Sequence, residues 1–522
     1  MKYFLTVFII FFLGCGQSDD SEKNNEKESV YSIDMSFTRK TDKTPNPFEV
    51  TITLTKDGKP FSGQTIDVLV KNLNQTTSSI TKWENGIYSF TVTPLKTGEF
   101  PVTVSYKYDN KEISVSKTPI VLQNVNNDFN QPMSVSGLVN TEGYEDGVTI
   151  TPDGEYLFVQ TGPYKFSSFF VYIESRENGG CGANRLIPEK CNHPWVNETF
   201  GTYTAPERPG FFAGRFNGTK QLHNAASWGL IEDEAPIYAL STMFYGFKKQ
   251  SDGTFKEPFY LAFNDLNDGI VGPYGLSFKK NNDGNYTVIF TLSDSFTVDY
   301  GKDIYTMTTQ LGQNVNLGDY ELTSRGNPPK RGTNYPSQLV DLNDNSGTQG
   351  NPFLYYSNDG NIKSIWIDDE YDNDEDSKKI SAYVLNSGTF PDKGNWTKLV
   401  LPENVNQLNK EAIQPTFTSE GLYFTEDTNI VFSAYKGEDS LNDYQNNSNW
   451  SLPEMILQKD TTITSLYSKE EDIGKIIAIG EPTIAVVNGK KILYFVYGYI
   501  RGIDEITGIA DIDMQAGFIE EK

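Results

Sequence analysis

The feature that most constrains this chain is a phrase that returns in altered form from residue 144 onward. Its clearest copy is Tyr144 to Gln160, YEDGVTITPDGEYLFVQ. Thr149 and Ile150 end a short β run, Pro152-Asp153-Gly154 is turn chemistry with Gly free to take positive φ, and Tyr156 to Val159 form an aromatic and β-branched strand. Related phrases run from Gly272 to Phe278 and on to Asp283–Phe290, and from Tyr335 to Leu339 and on to Asn351–Tyr356. Two more run from Gln414 to Phe424 and from Glu481 to Ala485, the latter leading to Asn488–Phe495. Each joins a Gly or Pro, a short strand, a turn and an apolar-aromatic strand. A lone hairpin exposes two edges, and radial packing of hairpins covers them. The repetition therefore predicts a β-propeller over residues 135–522. A further strand-turn-strand between Phe211 and Phe263 leaves the expectation at five or six blades.

Upstream, strands follow one another at short, regular spacing. Phe48 to Leu54 alternates cleanly, Lys56-Asp57-Gly58-Lys59 turns, Thr65 to Val70 alternates again, and Gly86–Thr93 and Phe100–Tyr106 follow. This predicts a β-sandwich over residues 30–124, lined by Val50, Ile52 and Leu54, by Ile66, Val68 and Val70, and by Tyr88, Phe90 and Val92. Asn-rich residues 125–134 read as a linker. Thirty Tyr, 33 Phe, 44 Gly and 25 Pro among 522 residues, with scarcely any helical periodicity, make the whole chain all-β in expectation.

Two stretches carry resemblances that bear on fold. TPDGEYLFV resembles the repeat of TolB and PD40-type propellers, where Pro-Asp-Gly turns from the innermost strand to the next; Ser419-Glu420-Gly421 and Val487-Asn488-Gly489 are degenerate copies. Asn85 to Pro94, followed by Thr97-Gly98 and Val102–Tyr106, resembles filamin-type and invasin-type immunoglobulin-like repeats, as does Asp57-Gly58-Lys59-Pro60 with Gly63. The resemblances imply an immunoglobulin-like sandwich acting as spacer or adhesion unit, followed by the propeller.

The start of the chain predicts its address. Met1-Lys2-Tyr3 and the apolar run Phe4 to Leu13 form a signal peptide over residues 1–14, too short to span a bilayer. Phe12-Leu13-Gly14-Cys15 resembles a bacterial lipobox, departing from it at Phe12, where Leu is usual. That implies acylation of Cys15 and anchoring in outer-membrane lipid. Residues 15–29 are polar and charged and read as a flexible tether. Gly16 to Ser21 resembles the acidic export signals of Bacteroidetes surface lipoproteins, which implies exposure at the cell surface. The formal charge of −25 opposes nucleic-acid binding, which needs a basic stripe. Apart from Cys15, only Cys181 and Cys191 remain, and in an exported chain they read as a disulfide closing an insertion near 175–215, stabilising by roughly 2–3 kcal/mol.

Chemistry is less sharply written. Two histidines, His193 and His223, lack zinc-site spacing. Five-bladed propeller glycoside hydrolases set acids where the innermost strands converge, and Asp146, Asp268 and Glu481 stand at or near the starts of expected inner strands. In that reading Asp146 is the base, Glu481 the acid and Asp268 a pKa-setting neighbour; against it, 69 acidic residues place some there by chance. No intact hydrolase motif accompanies them. Asp341-Leu-Asn343-Asp344-Asn345 and the run Asp368 to Asp376 offer oxygens to Ca2+, or are solvated loops. No other cofactor is expected. Trp195 and Tyr203, with Phe166 to Tyr172 and Phe211-Phe212, either stack on sugar rings or pack the insertion. The expected function is binding of an extracellular glycan or protein, with glycoside hydrolysis as the alternative. Cys15→Ser is expected to abolish incorporation of a fatty-acid analogue, measured by metabolic labelling of cells expressing the full chain.

Overall fold

The structure is a computed structural model. It describes residues 29–522 apart from 163–242, 435–452 and shorter stretches, among them 41–44, 72–74, 78–81, 142–143, 266–268, 272–273, 294–301, 322–329, 332–336, 340–346, 372–377, 391–394, 407–411, 462–467 and 504–508. Among the described residues the chain is β throughout, with one 3-10 turn at Glu470–Asp472 and no α-helix.

Two sheets make the N-terminal unit. One runs Tyr31–Arg39, Phe48–Lys56, Ile87–Pro94, Gln75–Thr77, and the other Lys111–Lys117, Val102–Tyr108, Asp67–Val70. Alternation puts every second residue on the shared face, so Val50, Ile52 and Leu54 meet Tyr88, Phe90 and Val92 across one sheet and Val102 and Val104 from the other. Ile66 is buried with them, while Val68 and Val70 pack at the margin. Each fully buried side chain of this kind contributes roughly 1.5–3 kcal/mol.

Residues beyond the sandwich form groups of mainly antiparallel strands, with Tyr144 parallel to Met514 and Phe255–Asp265 parallel to Val315–Glu321, and the first strand of each group carries residues of one of the repeated phrases. The opening strands are Tyr144–Ile150, Tyr274–Lys280, Gly347–Tyr356, Ala412–Thr418 and Ile476–Val487. Each touches the next in chain order, and the last returns to the first. The aromatic strands behind them fill the wedges between groups. Phe158 stacks on Phe278 with centroids 4.5 Å apart, and Trp366 on Phe417 at 4.4 Å. That packing accounts for the density of Phe and Tyr in the second strand of each phrase.

Three expectations change. The strands Met243–Lys249 and Phe255–Asp265 form no sheet of their own; they continue the sheet of Tyr144–Ile150 and Tyr156–Gly162, because Tyr156 to Thr161 pair with Met243 to Lys248. Asn351-Pro352-Phe353-Leu354 lies in an opening strand rather than a second one, and Ser337–Gln338 is the outer strand of the preceding group. The stretch 125–134 is not a free linker. Asn124–Val125 pairs with Glu454–Gln458, Met133–Ser134 pairs with the C-terminal strand Ala510–Glu520, and Phe129 is buried. Open strand edges recruit these residues, since an unpaired backbone edge against a core leaves donors and acceptors without partners.

The Pro-Asp-Gly turn does more than reverse the chain. Asp153 accepts hydrogen bonds from Thr151 Oγ1 at 2.7 Å and Glu155 N at 3.1 Å, and reaches the next group to accept from Lys280 Nζ at 2.6 Å and Tyr286 OH at 2.7 Å. Burial opposes its charge, but Lys280, Tyr286, Thr151 and the Glu155 backbone outweigh burial and lower its pKa. A lowered carboxyl pKa means stability present near neutrality and lost as pH falls through the folded value. Asp153→Ala should cost about 2–3 kcal/mol at pH 7 by urea unfolding, because it strands Tyr286 OH, and the difference should shrink in strong acid.

Candidate functional site

The opening strands share one irregularity. In each, the register to the second strand slips: between Asp146 and Thr149, Tyr274 and Leu276, Gly350 and Phe353, Ile413 and Thr416, and Gly480 and Thr483. At each slip one residue takes positive φ: Gly147 at 57°, Gly275 at 49°, Asn351 at 40°, Gln414 at 56° and Glu481 at 53°. These are β-bulges, which leave one residue off the ladder and turn its neighbour aside. Glycine occupies two of them. At the other three an L-residue stands there at a cost of about 1–2 kcal/mol each. Pro352, Pro415 and Pro482 follow directly, which a bulge tolerates because the missing N–H removes no ladder bond.

Side chains at the bulges bond across from strand to strand. Asn351 Nδ2 donates to Asp368 Oδ2 at 2.7 Å, and Asp368 Oδ1 accepts from Gln414 N. Gln414 Oε1 accepts from Glu481 N at 2.9 Å, while Gln414 Nε2 donates to Glu481 Oε1 at 2.7 Å. Glu481 Oε2 in turn accepts from Gly147 N. On the last side, a Cβ on Gly275 would stand 2.8 Å from Asn351 Oδ1, so that close approach requires glycine. One layer down, Thr483 Oγ1 accepts from Ile150 N at 3.4 Å, Thr149 Oγ1 donates to Leu276 O at 3.2 Å, and Ser277 Oγ accepts from Leu354 N at 2.9 Å. The bulges thus free backbone groups that side chains of the neighbouring strand satisfy.

All five bulges line one cavity, together with the residues that follow them. Its volume is about 40 Å³, room for roughly three waters and far below the several hundred Å³ of a small-molecule pocket. Asp146 and Glu481 come together at this place and share a hydrogen bond. Burial first, then the charge and hydrogen bond of Asp146, hold the Glu481 pKa well above the ordinary carboxyl range, and Asp368 adds to the effect. Glu481 is therefore held toward its protonated form.

Asp268, Trp195, Tyr203, Cys181, Cys191, Cys15, both histidines and Asp341 to Asn345 lie outside the described residues. Of the acidic run from Asp368, only Asp368 to Tyr371 are described, and its first two members are engaged in the fold. Asp368 belongs to the bulge contacts, and Asp369 accepts from Ser381 Oγ at 2.6 Å and Lys398 Nζ at 2.8 Å. No cluster of three or more His, Cys, Asp or Glu suited to a metal occurs among the described residues. Asn351, Gln414 and Asp368 were not singled out for this site by sequence. The signal for the first two was available, since each precedes a Pro inside a strand pattern, the mark of a bulge.

No protein-family model matches this chain, and neither does any curated protein sequence.

Glu481→Ala should cost about 2–4 kcal/mol in urea unfolding, because it strands Gly147 N and Gln414 Nε2. Glu481→Gln, close in shape to the neutral acid, should cost about 1 kcal/mol.

Proposed function

We propose that this chain is a lipid-anchored surface protein in which an immunoglobulin-like module supports a five-bladed propeller, and that the propeller binds an extracellular glycan or protein. The observation that carries the propeller is the convergence of the five bulged strands on one small cavity. Cyclic contact among the opening strands and the pairing of Met133–Ser134 with the C-terminal strand support the propeller. Strand polarity supports the choice of binding face. Tyr144 pairs with Gly162, and Thr161 with Met243, so the strands flanking residues 163–242 end on the edge where Asp146 stands. That stretch holds Trp195 and Tyr203, the aromatic residues assigned here to ligand contact.

Glycoside hydrolysis is the second reading, favoured by the meeting of Asp146 with a protonated Glu481. It is the weaker one. The two carboxyls of a glycosidase stand about 5–5.5 Å apart when retaining and about 6.5–9.5 Å when inverting, whereas these two share a hydrogen bond. Asp146 and Glu481 fit a structural role in the bulge contacts instead. Lipid anchoring rests on the lipobox resemblance; no helix among the described residues is long and apolar enough to cross a membrane.

A glycan array probed with the mature chain tests the binding reading. A hit is expected, weakened about tenfold, or about 1.4 kcal/mol, by Trp195→Ala and unchanged by Glu481→Gln. Turnover of that hit, abolished by Glu481→Gln, would instead establish the hydrolase. An empty array together with no binding to proteins displayed on intact cells would sink the binding reading.

A further inference from the structure

A second gathering of carboxyls lies where the N-terminal sandwich meets the rest of the chain. Glu99 projects from the sandwich side and accepts a hydrogen bond from Tyr497 OH. Behind it, Asp513 Oδ2 accepts from Gln515 Nε2 at 3.0 Å and Tyr499 OH at 3.5 Å, and lies 3.5 Å from Arg501 NH1. Arg501 is more strongly held by Asp511, through Nε at 3.0 Å and NH2 at 2.8 Å. Glu145 is fully buried, bonded to Thr141 N at 3.0 Å and Thr141 Oγ1 at 2.6 Å, and its charge bears on Asp513. Asp513 is 3% exposed, and its Oδ1 is buried with no hydrogen-bond partner. An ionised carboxylate with an orphaned buried oxygen is far more costly than a neutral carboxyl in the same place. A few residues away, Asp460 bridges the same junction, accepting from Thr97 Oγ1 of the sandwich and from Ile476 N at 2.9 Å.

We propose that this junction is an acid-tightened latch: protonated carboxyls at Glu99, Asp513 and Asp460 let the sandwich seat against the larger unit, and their ionisation loosens it. Groups from several packed elements face them. Glu99 meets Tyr497, Tyr499 and Arg501; Asp513 meets Glu145, Arg501, Gln515, Tyr499 and Glu99; Asp460 meets Thr97 and Lys475. Lys475 is tied to Asp472 at 2.5 Å, and Lys96 donates to Ile473 O, so both lysines at this edge already have partners. The seat is otherwise tight. A Cβ on Gly98, at φ 125°, would clash with Gly474 O, so the two backbones approach closely there.

Burial pushes Asp513 up to about 8 and Asp460 up to about 6, and raises Glu99 as well. A carboxyl whose folded pKa exceeds its unfolded value binds more protons folded than unfolded across that interval. Stability is then highest below the unfolded carboxyl value of about 4 and falls as pH rises, until about 6 for Asp460 and about 8 for Asp513, so that above pH 6 the remaining fall comes mainly from Asp513. Ordinary carboxyls have finished titrating by pH 6, and the chain has two histidines. A pH dependence in this window therefore reports the junction, those two residues and Glu481 of the cavity, and the variants below separate the junction from the rest.

The test uses the mature chain, with thermal unfolding and small-angle scattering recorded from pH 6 to pH 9. The expected result is a first transition that drops by several degrees over that range, with scattering that lengthens at high pH as the sandwich swings away. Asp513→Asn and Glu99→Gln, both neutral at all pH, should flatten the drop and hold the compact scattering at pH 9. Asp252→Asn, in an exposed turn, should leave it unchanged. If Asp513→Asn fails to fold, Glu99→Gln on the sandwich side carries the test alone. A wild-type transition equal at pH 6 and pH 9, or a Glu99→Gln chain that keeps the wild-type slope, would overturn the proposal.

Discussion

The larger unit depends on one backbone constraint, a residue held at positive φ in each of five opening strands. A regular strand would spend its N–H and C=O groups on its own hairpin. The bulge releases one set, and in three of the five strands the released set is met by a side chain from the strand beside it. Thus Glu481 Oε2 takes Gly147 N, Gln414 Oε1 takes Glu481 N, and Asp368 Oδ1 takes Gln414 N. Left-handed backbone at Asn351, Gln414 and Glu481 is unfavourable in isolation, and the hydrogen bonds it permits offset the strain. Because each bond joins two groups, local strain is exchanged for order between groups.

The same exchange recurs farther from the centre. Asp153 belongs to a turn within one hairpin yet holds Lys280 and Tyr286 of the next. Met133–Ser134 and Ala510–Glu520, from opposite ends of the unit, form one ladder, and Asn124–Val125 extends another. These pairings are among the least local in the chain. Their loop-closure entropy must be offset by the contacts they make.

Carboxyl groups are the recurrent currency of both regions. Glu481 beside Asp146 and Asp513 beside Glu145 are acids too close, and too deeply covered, for both members to ionise without cost. At the cavity this favours a neutral hydrogen-bonding acid that braces the strands. At the junction it makes the fit between two units responsive to protons. A chain of formal charge −25 thus buries some of its acids where burial favours the neutral form.

Much of this was written locally. Alternation at Val50, Ile52 and Leu54 and at Tyr88, Phe90 and Val92 determined the sandwich core, because a period of two admits only one buried face. Gly, Asn-Pro, Gln-Pro and Glu-Pro within strand patterns determined where ladders would slip, since φ and the missing proline N–H are properties of single residues. Partners were decided only in three dimensions. Gly147 and Glu481 are 334 residues apart, and Thr97 and Asp460 are 363 apart. No local pattern says that Asp368, on a second strand, serves the bulges, or that Phe255–Asp265 joins the first sheet rather than founding its own. Local sequence chooses the backbone state of each residue, and the packing of distant strands chooses what that residue touches.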